Sequence, residues 1–174
     1  MIRHNVDLSR LMGFVEDARS DPARARKVQV VEGVWNVGEG PQFSAEIPFE
    51  GGTQVADADQ PSLQGGGGRA PNPMLYCLFG LASCYGATFA AMAAMENVQI
   101  RALRVRAQAN VNHSRALGLS SDPPIERITL IVSADSSASV ETLQRIREEA
   151  WKRCPAVYCV TNPVRLEVSV EAKA

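Results

Sequence analysis

"PNPMLYCLFGLASCYGATFAAMAAM", residues 71–95, carries no charged side chain and holds two of the chain's four cysteines, Cys77 and Cys84. A charge-free run of that length is either a membrane span or the centre of a protein core. Its composition favours the core. Gly80, Ala82, Ser83, Gly86, Ala87, Ala90 and Ala91 make a helix of small residues rather than one of Leu and Ile. They recur at four-residue spacing, Ala82, Gly86 and Ala90 on one row and Ser83, Ala87 and Ala91 on the next, so another backbone can approach closely. A helix apolar on all sides, in a chain of near-neutral mean hydropathy, reads as a buried central helix. A chain of 174 residues can hardly enclose it alone, and a homodimer is expected.

The rest of the chain supports a soluble domain. Apolar residues make up 45% and charged residues 21%, and the net charge of −1 offers nothing to attract nucleic acid or an anionic membrane surface. The N-terminal "MIRHNVDLSR" puts charges where a secretory signal needs its apolar segment. The expectation is a cytoplasmic protein with no membrane partner, whose thiols are kept reduced.

Outward from the central run, hydrophobic periodicity marks the other elements. Leu8, Leu11, Met12 and Val15 follow helical spacing, giving an N-terminal helical extension over residues 1–26 ahead of a domain over 27–174. "KVQVVEGVW" (27–35) reads as a strand, and "QFSAEIPF" (42–49), with strict alternation at Phe43, Ala45, Ile47 and Phe49, as its hairpin partner. Residues 50–70, ending in "GGGGRAP", read as a flexible loop holding one short strand. Leu103, Val105, Ala107, Ala109 and Val111 form one face of a half-buried strand, and "IERITLIVSA" (125–134) another strand. Val140, Leu143, Ile146, Ala150 and Cys154 trace a second helix stopped by Pro155, and "VRLEVSVE" (164–171) closes the chain as a strand. The layout is α+β with mainly antiparallel pairing.

Several motifs point nowhere. The two histidines, His4 and His113, lie in unrelated segments and no C-x-x-C pair occurs, so neither a metal site nor another cofactor is expected. "GGGGR" lacks the Lys-Ser/Thr of a phosphate-binding loop. "SCYG" lies mid-helix, where a nucleophile elbow would need a preceding strand. Cys77 and Cys84, seven residues apart, share a helical stripe with a rise of roughly 10 Å between them, beyond disulfide reach. A bridge from Cys84 would have to go to another element. Free cysteines are also commonly just small buried hydrophobes.

"NP" (72–73) opening a long apolar helix, "ASCY" (82–85) within it and "CP" (154–155) ending a second helix together resemble the osmotically inducible protein C and organic hydroperoxide resistance (OsmC/Ohr) family. The order of strands and helices from about residue 27 to 172 is similar as well. The resemblance implies an OsmC-like fold, an intertwined cytoplasmic homodimer, and a thiol peroxidase acting on organic hydroperoxides in oxidative-stress defence. It implies Cys84 as the peroxidatic thiol, Cys154 as the resolving one, and a lipoyl-like dithiol as reductant. The family activates its thiolate with an arginine held by a glutamate. Met74 occupies the glutamate's position, and Arg69 is the nearest candidate for the arginine. Apolar neighbours Phe79, Tyr85 and Phe89, with Met74, would favour fatty or aromatic peroxides. The alternative expectation is a catalytically weak or inactive member that binds a small apolar ligand.

Overall fold

Asn72 starts the central helix by accepting the Leu75 N–H on its side-chain oxygen at 3.0 Å, with Pro73 in the first turn, where a missing N–H costs nothing. Helix α2 then runs Pro73–Met95. It stops where Asn97 adopts a left-handed φ of 61°. The Val98 N–H turns back to Ala93 O at 2.9 Å and the Asn97 N–H to Ala94 O at 3.2 Å, which satisfies the carbonyls a helix end leaves open. The computed structural model describes residues 1–172; the last two residues of the domain expected over 27–174 lie outside the described residues.

In chain order, α2 follows strands β1 (Ile2–Arg3) and β2 (Val6–Asp7), helix α1 (Leu8–Ser20), and strands β3 (Glu32–Trp35), β4 (Phe43–Phe49) and β5 (Gly52–Ala58). After it come β6 (Ile100–Val111), β7 (Ile125–Ser136), α3 (Val140–Arg153) and α4 (Pro155–Thr161). The strands form three antiparallel sheets, β1–β2, β3–β4–β5 and β6–β7. The expected α+β class holds.

Three expectations need correction. Residues 50–70 are not a flexible loop. Their first part is β5, paired with β4 from Phe43 opposite Ala58 to Phe49 opposite Gly52. The remainder folds around Asp59, whose side chain is only 1% exposed. Its carboxylate accepts the N–H of Arg69 at 3.0 Å and of Gly67 at 3.2 Å, and the Arg69 N–H is the main cause of a pKa below the usual carboxylate range. The glycines serve this turn: a Cβ on Gly66 would lie 1.9 Å from Gln60 O, and Gly65 sits at φ 84°. Second, the extension over 1–26 is more than a helix. His4 and Asn5, both with positive φ, turn β1 into β2, and the His4 Nε2–H donates to Val98 O at 2.8 Å, clipping the hairpin to the end of α2. Third, the strand patterns at 27–31 and 164–171 have no pairing partner among the described residues, and of the strand expected over 27–35 only Glu32–Trp35 forms one.

The core forms where α3 and α4 cross α2. Leu81, Tyr85, Phe89 and Ala93 of α2 pack with Ile146 and Ala150 of α3, with Cys154, and with Val157 of α4. Leu103, Val105, Ile128, Leu130 and Val132 of β6 and β7 pack against this cluster from the sheet side. Val105 comes within 3.4 Å of where a Cβ on Gly86 would stand, so the first row of small residues does admit a close neighbour. The second row is open: Ser83 and Ala87 are exposed, in line with Leu75 and Phe79, the latter 70% exposed. Helix α2 is long and apolar enough to span a membrane by length and composition, yet one of its faces is packed by its own chain.

Candidate active site

Pro155 sets the geometry of the thiols. A residue before proline is pushed out of helical conformation, and Cys154 accordingly has φ −76° and ψ 117°. The Cys154 N–H closes α3 on Ala150 O at 3.0 Å, and its carbonyl accepts the Tyr158 N–H at 3.0 Å, opening α4. One residue is thus the joint between two helices, and its side chain turns inward, 1% exposed, toward α2. There its Sγ meets Cys84 Sγ at 3.6 Å. Both are free thiols, and closing them to a disulfide length of about 2.05 Å needs a shift of only about 1.5 Å.

Burial is the main influence on Cys84 and pushes its pKa above the ordinary thiol value. The backbone N–H of Ala156, at the start of α4, pulls the other way. The contact with Cys154 and the negative charges that Cys154 and Cys159 would carry as thiolates push it further up. Among the described residues, no arginine contributes to this shift.

The structure therefore brings Cys84 and Cys154 together and leaves Arg69 apart. The Arg69 guanidinium donates to Gly40 O at 2.7 Å, holding the loop to the β3–β4 turn. Met74 is half-buried near the start of α2, and Phe79 points outward. Tyr85 and Phe89, both 2% exposed, are core side chains, and the Tyr85 hydroxyl donates to Arg147 O at 3.0 Å. Phe89 packs wholly inside the cluster. Sequence reasoning missed α4 and with it the Ala156 N–H; the proline that ends α3 also starts a helix, and that was the available signal. It also missed a crevice of about 780 Å³ between β7 and α3–α4, with Leu81, Tyr85, Leu130 and Val157 on its floor and Arg127 and Trp151 at its rim. Neither Cys84 nor Cys154 lines it.

A long small-residue helix, three antiparallel sheets and a close pair of thiols brought together from α2 and the α3–α4 joint define a class, and the comparisons give its family. The family model described as OsmC-like protein matches residues 65–169. The chain belongs to the OsmC-like family. No curated protein matches it closely. Among solved structures, it is similar to an OsmC-like protein from Mycoplasma pneumoniae at 22% identity and a TM-score of 0.57, covering 77% of this chain and 87% of that one. An organic hydroperoxide resistance protein from Legionella pneumophila matches at 14% identity and TM-score 0.56, over 78% and 90% of the two chains. The organic hydroperoxide resistance protein OhrB of Bacillus subtilis matches at 18% and 0.54, over 78% and 91%. At these identities the shared property is the fold.

Proposed function

We propose that this protein is a thiol peroxidase that reduces organic hydroperoxides through Cys84 and Cys154. The observation that carries the reading is the 3.6 Å separation of two free sulfurs held on different helices, one of them at a joint. The Cys84 thiolate attacks the outer peroxide oxygen, the O–O bond breaks, and the alcohol leaves with a proton. Cys84 is then a sulfenic acid. The Cys154 sulfur attacks Cys84 Sγ and water leaves, giving the disulfide. A dithiol of lipoyl type reduces it and is itself oxidised. No cofactor takes part. Without an arginine at Cys84 the thiolate fraction at neutral pH is small and the first step is slow.

The reading includes a cytoplasmic homodimer with no nucleic-acid or membrane partner. Support for the second copy comes from three uncovered apolar regions. They are the Leu75, Phe79, Ser83 and Ala87 stripe of α2, the β3–β5 sheet with Val34, Trp35, Phe49 and Val55 exposed, and the unpaired strand pattern Val164, Leu166, Val168 and Val170. A net charge of −1 leaves little to oppose self-association.

Met74 and the raised Cys84 pKa favour a second reading, an OsmC-fold protein that binds a small apolar ligand without turnover. Consumption of cumene hydroperoxide with dihydrolipoamide as reductant separates the two. Turnover that is lost in Cys84→Ser and stalls after one equivalent in Cys154→Ser supports the peroxidase. No consumption at pH 8, with the fold intact, leaves the ligand-binding reading.

A further inference from the structure

The crevice between β7 and α3–α4 takes no part in the thiol chemistry, since neither Cys84 nor Cys154 lines it. Alternation on β7 turns Ile128, Leu130 and Val132 toward the helices, yet each is only half-buried where it lines the open space. Trp151 of α3 and Val160 of α4 line the same space and are exposed. Its volume of about 780 Å³ lies within the roughly 300–1,000 Å³ usual for small-molecule sites. The fold itself does not fill it. Leu81 and Tyr85, on the floor, follow Phe79 and Ser83 by two residues, about 200° around α2, so the crevice faces away from the stripe offered to a second copy. Residues 164–170 of the same chain stand in solvent.

Charge selects the occupant. Arg127, Arg147 and Lys152 line the crevice against two carboxylates, Glu126 and Glu148. Arg147 is the cation tied to the apolar floor. Its carbonyl accepts the Tyr85 hydroxyl at 3.0 Å. Burial pushes the Tyr85 phenol above its usual range, and the Arg147 charge pulls it back. Four residues separate Arg147 from Trp151, so the two stand on one face of α3, a turn apart. The Arg147–Glu148 pair, at 3.3 Å, is exposed at both ends and holds the guanidinium only weakly. A guanidinium beside an indole, above an apolar floor, matches a carboxylate joined to an apolar body. We infer that the crevice binds an amphipathic monocarboxylate with a chain of about ten carbons, its carboxylate on Arg147 and its chain between Leu130, Trp151 and Val160. A carboxylate does not react with thiols, so the inference stands independently of the peroxidase reading, and it gives the ligand-binding reading a place and a charge.

The probe is sodium decanoate, titrated calorimetrically into the full chain below its micelle concentration. One site per chain is expected, with affinity rising about fourfold per methylene from hexanoate to decanoate. Decanol, which has the chain and no charge, should bind at least tenfold more weakly. Decanoate should lose at least as much on Arg147→Ala and on Val160→Glu, both exposed positions where the fold survives the change. Arg104→Ala, between core-facing Leu103 and Val105 and so on the other side of the β6–β7 sheet, should bind as wild type. In Trp35→Phe, where Trp151 is the remaining tryptophan, decanoate should move the emission to shorter wavelength. Absence of decanoate binding overturns the inference, as do equal affinity for decanol and wild-type affinity in Arg147→Ala or Val160→Glu. Poor quenching of Trp151 by acrylamide in the free protein overturns it too, because a second copy then already covers the crevice. Cumene hydroperoxide consumption, measured beside it, keeps the readings apart: turnover without decanoate binding ends the crevice site alone, and binding without turnover ends the peroxidase alone.

Discussion

The α2–α3–α4 half of the molecule and the β3–β5 sheet with its flanking segments differ in how they treat apolar side chains. In the first, Leu81, Tyr85, Phe89, Ile146 and Val157 are buried within one chain. In the second, Val28, Val30, Val34, Trp35, Phe49 and Val55 stand in solvent, as do Val164, Leu166, Val168 and Val170 beyond α4. Composition does not separate the halves; coverage does. The first half makes its own core and carries the thiols. The second has strand chemistry without enough neighbours among the described residues, and this is the contrast on which the proposed second copy rests.

Breaking the uncovered half has the largest expected effect. Leu166→Glu with Val168→Lys places charge on the apolar face of the 164–170 segment, whose Leu166 is 85% exposed in one chain. If the face is buried by a partner, each lost side chain removes about 1.5–3 kcal/mol, twice over in a symmetric dimer, so the dimer constant should weaken by several orders of magnitude. Light scattering at micromolar concentration should report twice the chain mass for wild type and the chain mass for the variant. A wild-type monomer would end the dimer and this account of the exposed strands together.

The self-sufficient half should respond in the opposite sense. Phe89→Ala is expected to lose about 3–5 kcal/mol of unfolding free energy in denaturant titration, because the cavity opens in a core that α3 holds in place. Phe79→Ala, ten residues earlier on the same helix, should barely change the fold of a chain and should act on assembly. Equal effects on monomer stability would erase the contrast between the two faces of α2.

Within the buried half, the Cys84 thiol titrates late. Below its pKa, alkylation by iodoacetamide should rise about tenfold per pH unit from pH 7, and it should still be climbing at the ordinary thiol value of 9.0. A plateau already reached near neutrality would mean that a cation omitted from this account stands at the sulfur. The same shift has a stability consequence: a raised pKa favours the folded state fully below the unfolded thiol value, and that contribution is lost as pH rises through the folded one.

The smallest effect is expected at the seam between the halves, where Asp59 holds the glycine loop ahead of α2. Its pKa is depressed, so its contribution to stability is present above the unfolded carboxylate value of about 3.9 and disappears as pH falls through the folded one. Asp59→Asn should lower the melting temperature modestly at pH 7 and flatten the acid limb of the stability curve below about pH 4. A melting temperature unchanged at every pH would show that the glycines alone shape the loop.

What could be read from the residues divides along the same line. Strict alternation located β4, β6 and β7, because a half-buried strand writes its two environments into every second residue. The stripe from Leu143 to Cys154 located α3 for the same reason at helical period. Strand β5 was legible only as one short strand somewhere in a loop: Gly52, Gln54 and Asp57 look like loop, and the register with β4 fixes Gly52–Ala58 as the strand. Conversely, 27–31 and 164–171 have strand patterns with nothing among the described residues to pair with. A pattern tells what a segment is able to form and leaves the partner open. The site divides likewise. Cys84 and Cys154 were legible through their motifs. The placement of Tyr85 and Phe89 was not, because a helix apolar all round gives no phase; both are buried, and Tyr85 also lines the crevice.

The unpaired segment also bears on how the protein is made in a cell. Residues 164–170 are synthesised after every helix and strand described, so this stretch emerges after them. With Val, Leu, Val and Val on one side and only Arg165, Glu167 and Ser169 to interrupt them, it is a ready template for cross-β stacking until it is covered. Its waiting time then depends on concentration. Dilute chains persist with the template exposed, and strongly overproduced chains meet one another before each has found its proper register. Moderate expression at low temperature should accordingly give more soluble protein than strong induction, and Leu166→Glu with Val168→Lys should shrink the inclusion-body fraction while it abolishes the dimer.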